Sequence, residues 1–184
     1  MQSDPEKEID AMISEFLSGH PTRRGMKFCP RCGEALLSTQ IEGKERQKCS
    51  SVACQYVFWN NPTPVVAAIV EYENKVVLAR HRGWPLGLFG LISGFLEEGE
   101  TPEAGILREV NEELSLEGSI VKTIGHYSFP EMNQLIIAFY ILARGKLSMN
   151  EELVEIKHVR PDKLIPWSLG AGPAVKDWLE ARID

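Results

Sequence analysis

Glu109, Glu112 and Glu113 lie within the stretch Gly94 to Leu116, GFLEEGETPEAGILREVNEELSL. On a helix their i, i+3, i+4 spacing sets three carboxylates on one face, where like charges repel. They also crowd the C-terminal half of that helix, where the macrodipole disfavours negative charge. Glu97, Glu98 and Glu100 in the preceding loop can add to the same face. A solvated acidic surface is the plain alternative. A hard dication resolves the repulsion, because Mg²⁺ takes oxygen ligands and is commonly held by a few carboxylates together with substrate phosphates. The stretch therefore points to metal-assisted phosphate chemistry.

The second chemical constellation is Cys29, Cys32, Cys49 and Cys54, spaced C-x2-C-x16-C-x4-C. Two close thiolate pairs brought together from separate segments make a tetrahedral zinc site. Four protein ligands leave no open position, so the zinc is structural and the segment's folding depends on it. Four free buried cysteines are the bland alternative, which the paired spacing disfavours.

Both constellations need elements to hold them. Thr101-Pro102 reads as a hydroxyl N-cap followed by proline at the first helical position, and Ala104, Leu107 and Val110 supply an apolar stripe. Between the cysteine pairs the chain alternates enough for a hairpin turning near Gly43-Lys44. Residues 64–72 and 75–82 read as strands joined at Glu73-Asn74, and 119–127, 134–143 and 154–159 as further strands. Residues 4–18 form a short amphipathic helix through Ile9, Met12, Ile13, Phe16 and Leu17, broken by Gly19, Pro21 and Gly25. A helix this short needs a docking partner, on its own domain or on another subunit. Pro173 to Ile183 closes the chain as a helix with Val175, Trp178 and Leu179 inward. Arg80, His81 and Arg82 end a strand, where they either meet phosphate or face solvent.

The stretch around the glutamates resembles the Nudix box. The matching residues are Gly94, Glu100, Arg108, Glu109, Val110, Glu112, Glu113 and Leu116, while Ser115 stands where the family has glycine. The departure touches helix termination rather than the acidic residues. The resemblance implies an α/β/α sandwich around a mixed β-sheet. It implies Mg²⁺ (or Mn²⁺) held by Glu109, Glu112 and Glu113, with Gly94, Glu97 and Glu152 in the set. Arg108 is implied to bond Glu100 and fix loop to helix. Glu112, Glu113 or Glu152 would take the proton from an attacking water. A four-cysteine ribbon ahead of such a domain is similar to the NADH pyrophosphatases and to zinc-ribbon proteins acting on ADP-ribose or FAD. Of the NADH group's array after the box, only Phe129-Pro130 remains here, so NADH is not assigned outright. Trp59 sits where that group places a substrate-contacting aromatic, and is equally suited to a domain-junction core.

The organisation expected is an N-terminal helix and linker over 1–25, a zinc ribbon over 26–60 and a Nudix domain over 61–184. The expected activity splits a nucleoside diphosphate-linked compound (NADH or NAD, ADP-ribose, FAD) into two monophosphates, one of them AMP. Removal of an NAD cap from RNA stands beside it. Two rivals are a non-catalytic sensor of ADP-ribose or NAD, and a nucleic-acid-binding ribbon carrying Lys44, Arg46 and Lys48. Clustered glutamates argue against the sensor. Glu42 and Glu45, and a net charge of −6, argue against bulk electrostatic binding of polyanions. Over 184 residues the 43% hydrophobic and 25% charged content is that of a globular protein. No apolar run spans a bilayer and the acidic start is no signal peptide, so a cytoplasmic protein with no membrane partner is expected. The family resemblance and the unplaced N-terminal helix suggest a homodimer.

Overall fold

The computed structural model describes residues 4–19 and 26–182. The helix breakers Pro21 and Gly25, and the expected helix end at Ile183, lie outside the described residues. The elements in order are α1 (Pro5–Gly19), β1 (Leu36–Ile41), β2 (Lys44–Cys49), β3 (Val57–Phe58), β4 (Thr63–Tyr72), β5 (Lys75–His81), β6 (Ile92–Phe95), α2 (Pro102–Leu114), β7 (Glu117–Phe129), β8 (Gln134–Arg144), β9 (Leu153–Val159) and α3 (Gly172–Glu180). They form two compact units. One runs to Pro62 and carries the cysteines; the other joins α1 to the chain from Thr63 onward.

The cysteine unit is an antiparallel sheet of order β1-β2-β3. Its hairpin turns at Glu42-Gly43, one residue earlier than the sequence reading, with both residues at positive φ. That is the backbone of a two-residue type I′ turn. Its core is small: Cys29, Leu36 and Cys49, with Met26, Cys54, Tyr56 and Phe58 against them.

The larger unit is built on a mixed sheet of order β7-β8-β4-β5-β9, with β6 on β4. β4 and β8 run parallel; the other pairings are antiparallel. The sheet is covered on both faces, and alternation along each strand assigns the faces. Val66, Ala68 and Val70 of β4 and Val77 and Ala79 of β5 pack with Ile106, Val110 and Leu114 of α2. Val65, Ala67, Ile69, Val76 and Leu78 face the opposite way and pack with Val175 and Trp178 of α3. This is the expected α/β/α sandwich around a mixed sheet. α1 docks on the second face through Ile9 and Ile13. Both carboxylate oxygens of Asp10 accept from Ser168, from its amide at 2.9 Å and its hydroxyl at 2.6 Å. The N-terminal helix therefore packs on its own domain.

Within α2, Thr101 caps the N-terminus by accepting from the Ala104 amide at 3.2 Å. Ala104 itself faces solvent, so the buried stripe is Ile106, Val110 and Leu114 rather than the one begun at Ala104. The helix ends at Ser115, which adopts φ 55° while its amide bonds Asn111 O. A side chain in this left-handed conformation costs about 1 kcal/mol relative to glycine. Ser115→Gly is expected to raise the melting temperature by about 3 °C, read by calorimetry. A drop would mean that the serine side chain contributes more than its backbone costs.

Candidate functional site

Parity and helical spacing converge at one end of the sheet. Gly94 of β6 lies beneath α2, and a Cβ there would overlap the Glu109 carboxylate. One cation serves several acids nearby. Arg108 donates to both oxygens of Glu100 (Nε to Oε2 at 3.2 Å, Nη2 to Oε1 at 2.8 Å) and to Phe95 O. Its Nη1 donates to Glu109 Oε1 at 2.7 Å and Glu112 Oε2 at 3.0 Å. These bonds hold the Glu100 carboxyl below the usual carboxylate range and raise the guanidinium's pKa further. Loop and helix are thereby clamped together.

Glu113 has no such cation. It is 1% exposed, and its Oε2 is buried without a hydrogen-bond partner among the described residues. Burial first, then the charges of Glu109, Glu152 and Glu112, push its carboxyl up from 4.5 to about 8. Burial also raises Glu109, with Arg108 opposing. His81 Nε2, likewise buried and unpartnered, stands 3.9 Å from Glu113 Oε1. Burial lowers the His81 pKa against the opposing pull of Glu152. Ligand atoms of His81, Glu113 and Glu152 all lie within 4.8 Å of one another.

The raised Glu113 value has a stability consequence. Between pH 4.5 and about 8 the folded, metal-free chain holds a proton that the unfolded chain has released. Its stability is therefore greatest at the acidic end of that window and is lost as pH rises through about 8. The melting temperature of the metal-free site, with the cysteine unit kept zinc-loaded, is expected to fall from pH 5.5 to pH 8.5. Saturating Mg²⁺ is expected to flatten that fall. A metal-free melting temperature constant across the range would contradict this placement of Glu113.

Glu97 is exposed, with its amide donating to Glu100 Oε1 at 2.8 Å, and it does not join the His81–Glu113–Glu152 group. Arg80 is ion-paired with Glu155 at 3.2 Å. Phe129 lines a cavity of about 490 Å³ with Phe16 of α1, Trp84 and Trp167. Gly94 and His81 border that cavity on one side and meet Glu109 and Glu113 on the other. Trp59 lies in the cysteine unit, with Arg46 stacked 5.5 Å from its ring and bonded to its carbonyl. His81, read from the sequence only as a strand-end residue that meets phosphate or solvent, stands instead beside Glu113 and Glu152. The missed signal was parity, since His81 follows Val77 and Ala79 on the α2 face of β5.

In the cysteine unit the four sulfurs lie within 4.8 Å of one another. Cys29–Cys54 and Cys32–Cys49 approach to 3.6 and 3.4 Å. Sulfurs around tetrahedral zinc stand about 3.8 Å apart, from a Zn–S bond of about 2.3 Å, so the cluster is compatible with zinc.

The NUDIX domain model matches residues 61–179. The chain belongs to the Nudix family. Relatives of this Nudix chain named NAD-capped RNA hydrolase NudC include one from Vibrio atlanticus, 31% identical over 140 residues that make up 73% of this chain and 48% of the relative. Another, from Vibrio vulnificus, is 28% identical over 166 residues, 88% of this chain and 61% of the relative. The chain spans about half the length of the curated relatives it matches. A solved NUDIX hydrolase from Nitrosomonas europaea aligns with a TM-score of 0.73 at 28% identity, over 86% of this chain and 93% of that one. An ADP-ribose pyrophosphatase from Streptococcus suis, 20% identical with a TM-score of 0.54 over 67% of this chain and 94% of that one, shares the fold. Nudix enzymes generally use a divalent metal, and the acid cluster suits one: Arg108 is shared among Glu100, Glu109 and Glu112, while Glu113 and Glu152 lie together beside His81. No described helix is long and apolar enough to cross a membrane.

Proposed function

We propose that this Nudix chain hydrolyses the pyrophosphate bond of a nucleoside diphosphate-linked compound (NADH or NAD, ADP-ribose, or FAD) to two monophosphates including AMP. The observation carrying this reading is the buried Glu113, with an unpartnered oxygen and no cation of its own, beside Glu109, Glu152 and a cavity of nucleotide-base size. Glu109, Glu113 and Glu152 would hold Mg²⁺ or Mn²⁺, with Glu112 and the Gly94 backbone alongside; Glu97 belongs to the set only by the family resemblance. When bound, the dication offsets phosphate charge and activates a water.

The remaining work belongs to the side chains. The water oxygen bonds one phosphorus, the bridging P–O bond breaks, and the bridging oxygen leaves on the second monophosphate. The water's proton passes to Glu112, Glu113 or Glu152. Arg108 and Glu100 are positioning residues that keep the loop against α2. The base or nicotinamide ring stacks among Phe129, Phe16, Trp84 and Trp167, which suit a flat heterocycle. Trp59, the substrate-contacting aromatic that the resemblance implies, belongs to the separate cysteine unit, whereas Arg80 pairs with Glu155. We assign 1–25 to an N-terminal helix and linker, 26–60 to a structural zinc ribbon and 61–184 to the hydrolase domain, in a cytoplasmic homodimer. NAD-capped RNA is an alternative substrate in the same chemical class, supported by the names of the Vibrio relatives.

The test is product analysis with Mg²⁺ and, separately, NADH, NAD⁺, ADP-ribose, FAD and a short NAD-capped RNA. Metal-dependent AMP release from a small molecule supports the reading. A 5′-monophosphorylated RNA product from the capped RNA alone would reassign the substrate, and no product from any of them would sink the reading. Light scattering of the zinc-loaded chain tests the dimer. Gly94→Ala should lower turnover about a hundredfold by displacing the Glu109 carboxylate. Unchanged turnover in that variant would remove Glu109 from the site.

A further inference from the structure

We propose that His81 is a nitrogen ligand in this site. His81, Glu113 and Glu152 then form a mixed nitrogen–oxygen subsite that takes a first-row transition-metal dication in preference to Mg²⁺. The proposal deepens the hydrolase reading, and rests on it only for what the metal does.

The His81 Nε2 to Glu113 Oε1 separation of 3.9 Å is too long for a hydrogen bond. It suits two ligands of one ion, since metal–ligand bonds of about 2.1 Å place ligand atoms about 3.0 to 4.2 Å apart. Both atoms' side chains have open valences here. Glu113 is 1% exposed, and its Oε2, like His81 Nε2, has no partner among the described residues. Leaving a buried polar group unpaired is costly, so two on neighbouring side chains indicate something that binds both.

The third ligand is held in place by backbone bonds. Arg82 donates its amide to Glu152 O at 2.7 Å, and its side chain donates to Glu151 O. Asn150 Oδ1 accepts from the amides of Glu152 and Leu153, while the Asn150 amide bonds Glu113 O at 3.1 Å. The end of β5, the turn before β9 and the end of α2 are therefore tied around one point. Trp84 packs on the imidazole with ring centroids 4.8 Å apart, fixing its plane. Magnesium selects oxygen donors, whereas imidazole favours transition-metal dications. Nitrogen in the set shifts the preference accordingly.

Mn²⁺ is the probe, because it is paramagnetic and does not compete for zinc-filled thiolates. The zinc-loaded chain is titrated with Mn²⁺ and studied by pulsed electron paramagnetic resonance. The expected result is ¹⁴N modulation from one imidazole, changed by ¹⁵N-histidine labelling and lost in His81→Gln. Loss of an outer-sphere partner already costs about 10–100-fold in metal affinity, so His81→Gln should weaken Mn²⁺ binding at least about tenfold. Mg²⁺ binding should weaken much less. Bound Mn²⁺ without nitrogen coupling in the wild type, or coupling that persists in a folded His81→Gln, overturns the proposal and leaves the hydrolase reading standing. No Mn²⁺ binding at all overturns both.

Discussion

Glu113→Gln should lower turnover about a thousandfold while leaving the fold intact, a loss in the range for removing a positioned proton-transfer group. The substitution keeps shape and volume in a site where the side chain is 1% exposed. It removes the charge that a dication would bind, and the atom whose pKa stands at about 8 without one. The same change has an opposite effect on stability. A neutral amide carries no uncompensated buried charge, so the metal-free variant should melt higher than wild type at pH 8.5 and close to it at pH 5. Glu112→Gln should also lower turnover, but it acts from an exposed position bonded to Arg108. Steady-state kinetics with calorimetry on both variants separates these effects. Near-normal turnover in both variants would contradict the assigned chemistry.

Removing zinc should unfold the cysteine unit. Among the described residues its buried hydrophobic core is Cys29, Leu36 and Cys49, and units near 40 residues seldom fold without a metal, disulfides or a partner. A structural zinc contributes roughly 10–16 kcal/mol of apparent binding free energy, far more than this core can supply. Chelation, or Cys49→Ser, should abolish hydrogen-exchange protection of the Cys49 amide, bonded to Tyr56 O at 2.8 Å, and of the Leu36 amide, bonded to Lys27 O at 2.9 Å. Elemental analysis should find one zinc per chain before chelation. Protection surviving in a demonstrably zinc-free chain would show that the unit is held by packing alone.

The features legible in the sequence are those set by local spacing. The Thr101 cap, the i, i+3, i+4 glutamates and the two cysteine pairs each depend on residues a few positions apart, and backbone geometry turns such spacing directly into proximity. Non-local pairing was not legible. Arg80 faces Glu155 across the β5–β9 register, and nothing near Arg80 in the chain announces that neighbour. The amphipathic face of α1 required a partner without naming it; the partner is the α3 side of the sheet, reached through Asp10 and Ser168. His81 was half legible. Alternation along KVVLARH puts it on the α2 face, but its meeting with Glu152 depends on the Asn150 turn and on the register shift between Arg80 and His81.

The central claim is metal-assisted attack of water on a pyrophosphate. It is tested most directly by incubating the zinc-loaded chain with NADH, NAD⁺, ADP-ribose and FAD in ¹⁸O-water, with and without Mg²⁺, and weighing the products. The predicted result is AMP and its partner monophosphate from at least one substrate, with a single ¹⁸O shared between them, only when Mg²⁺ is present. Unlabelled products, or equal hydrolysis in metal-free buffer, would contradict it.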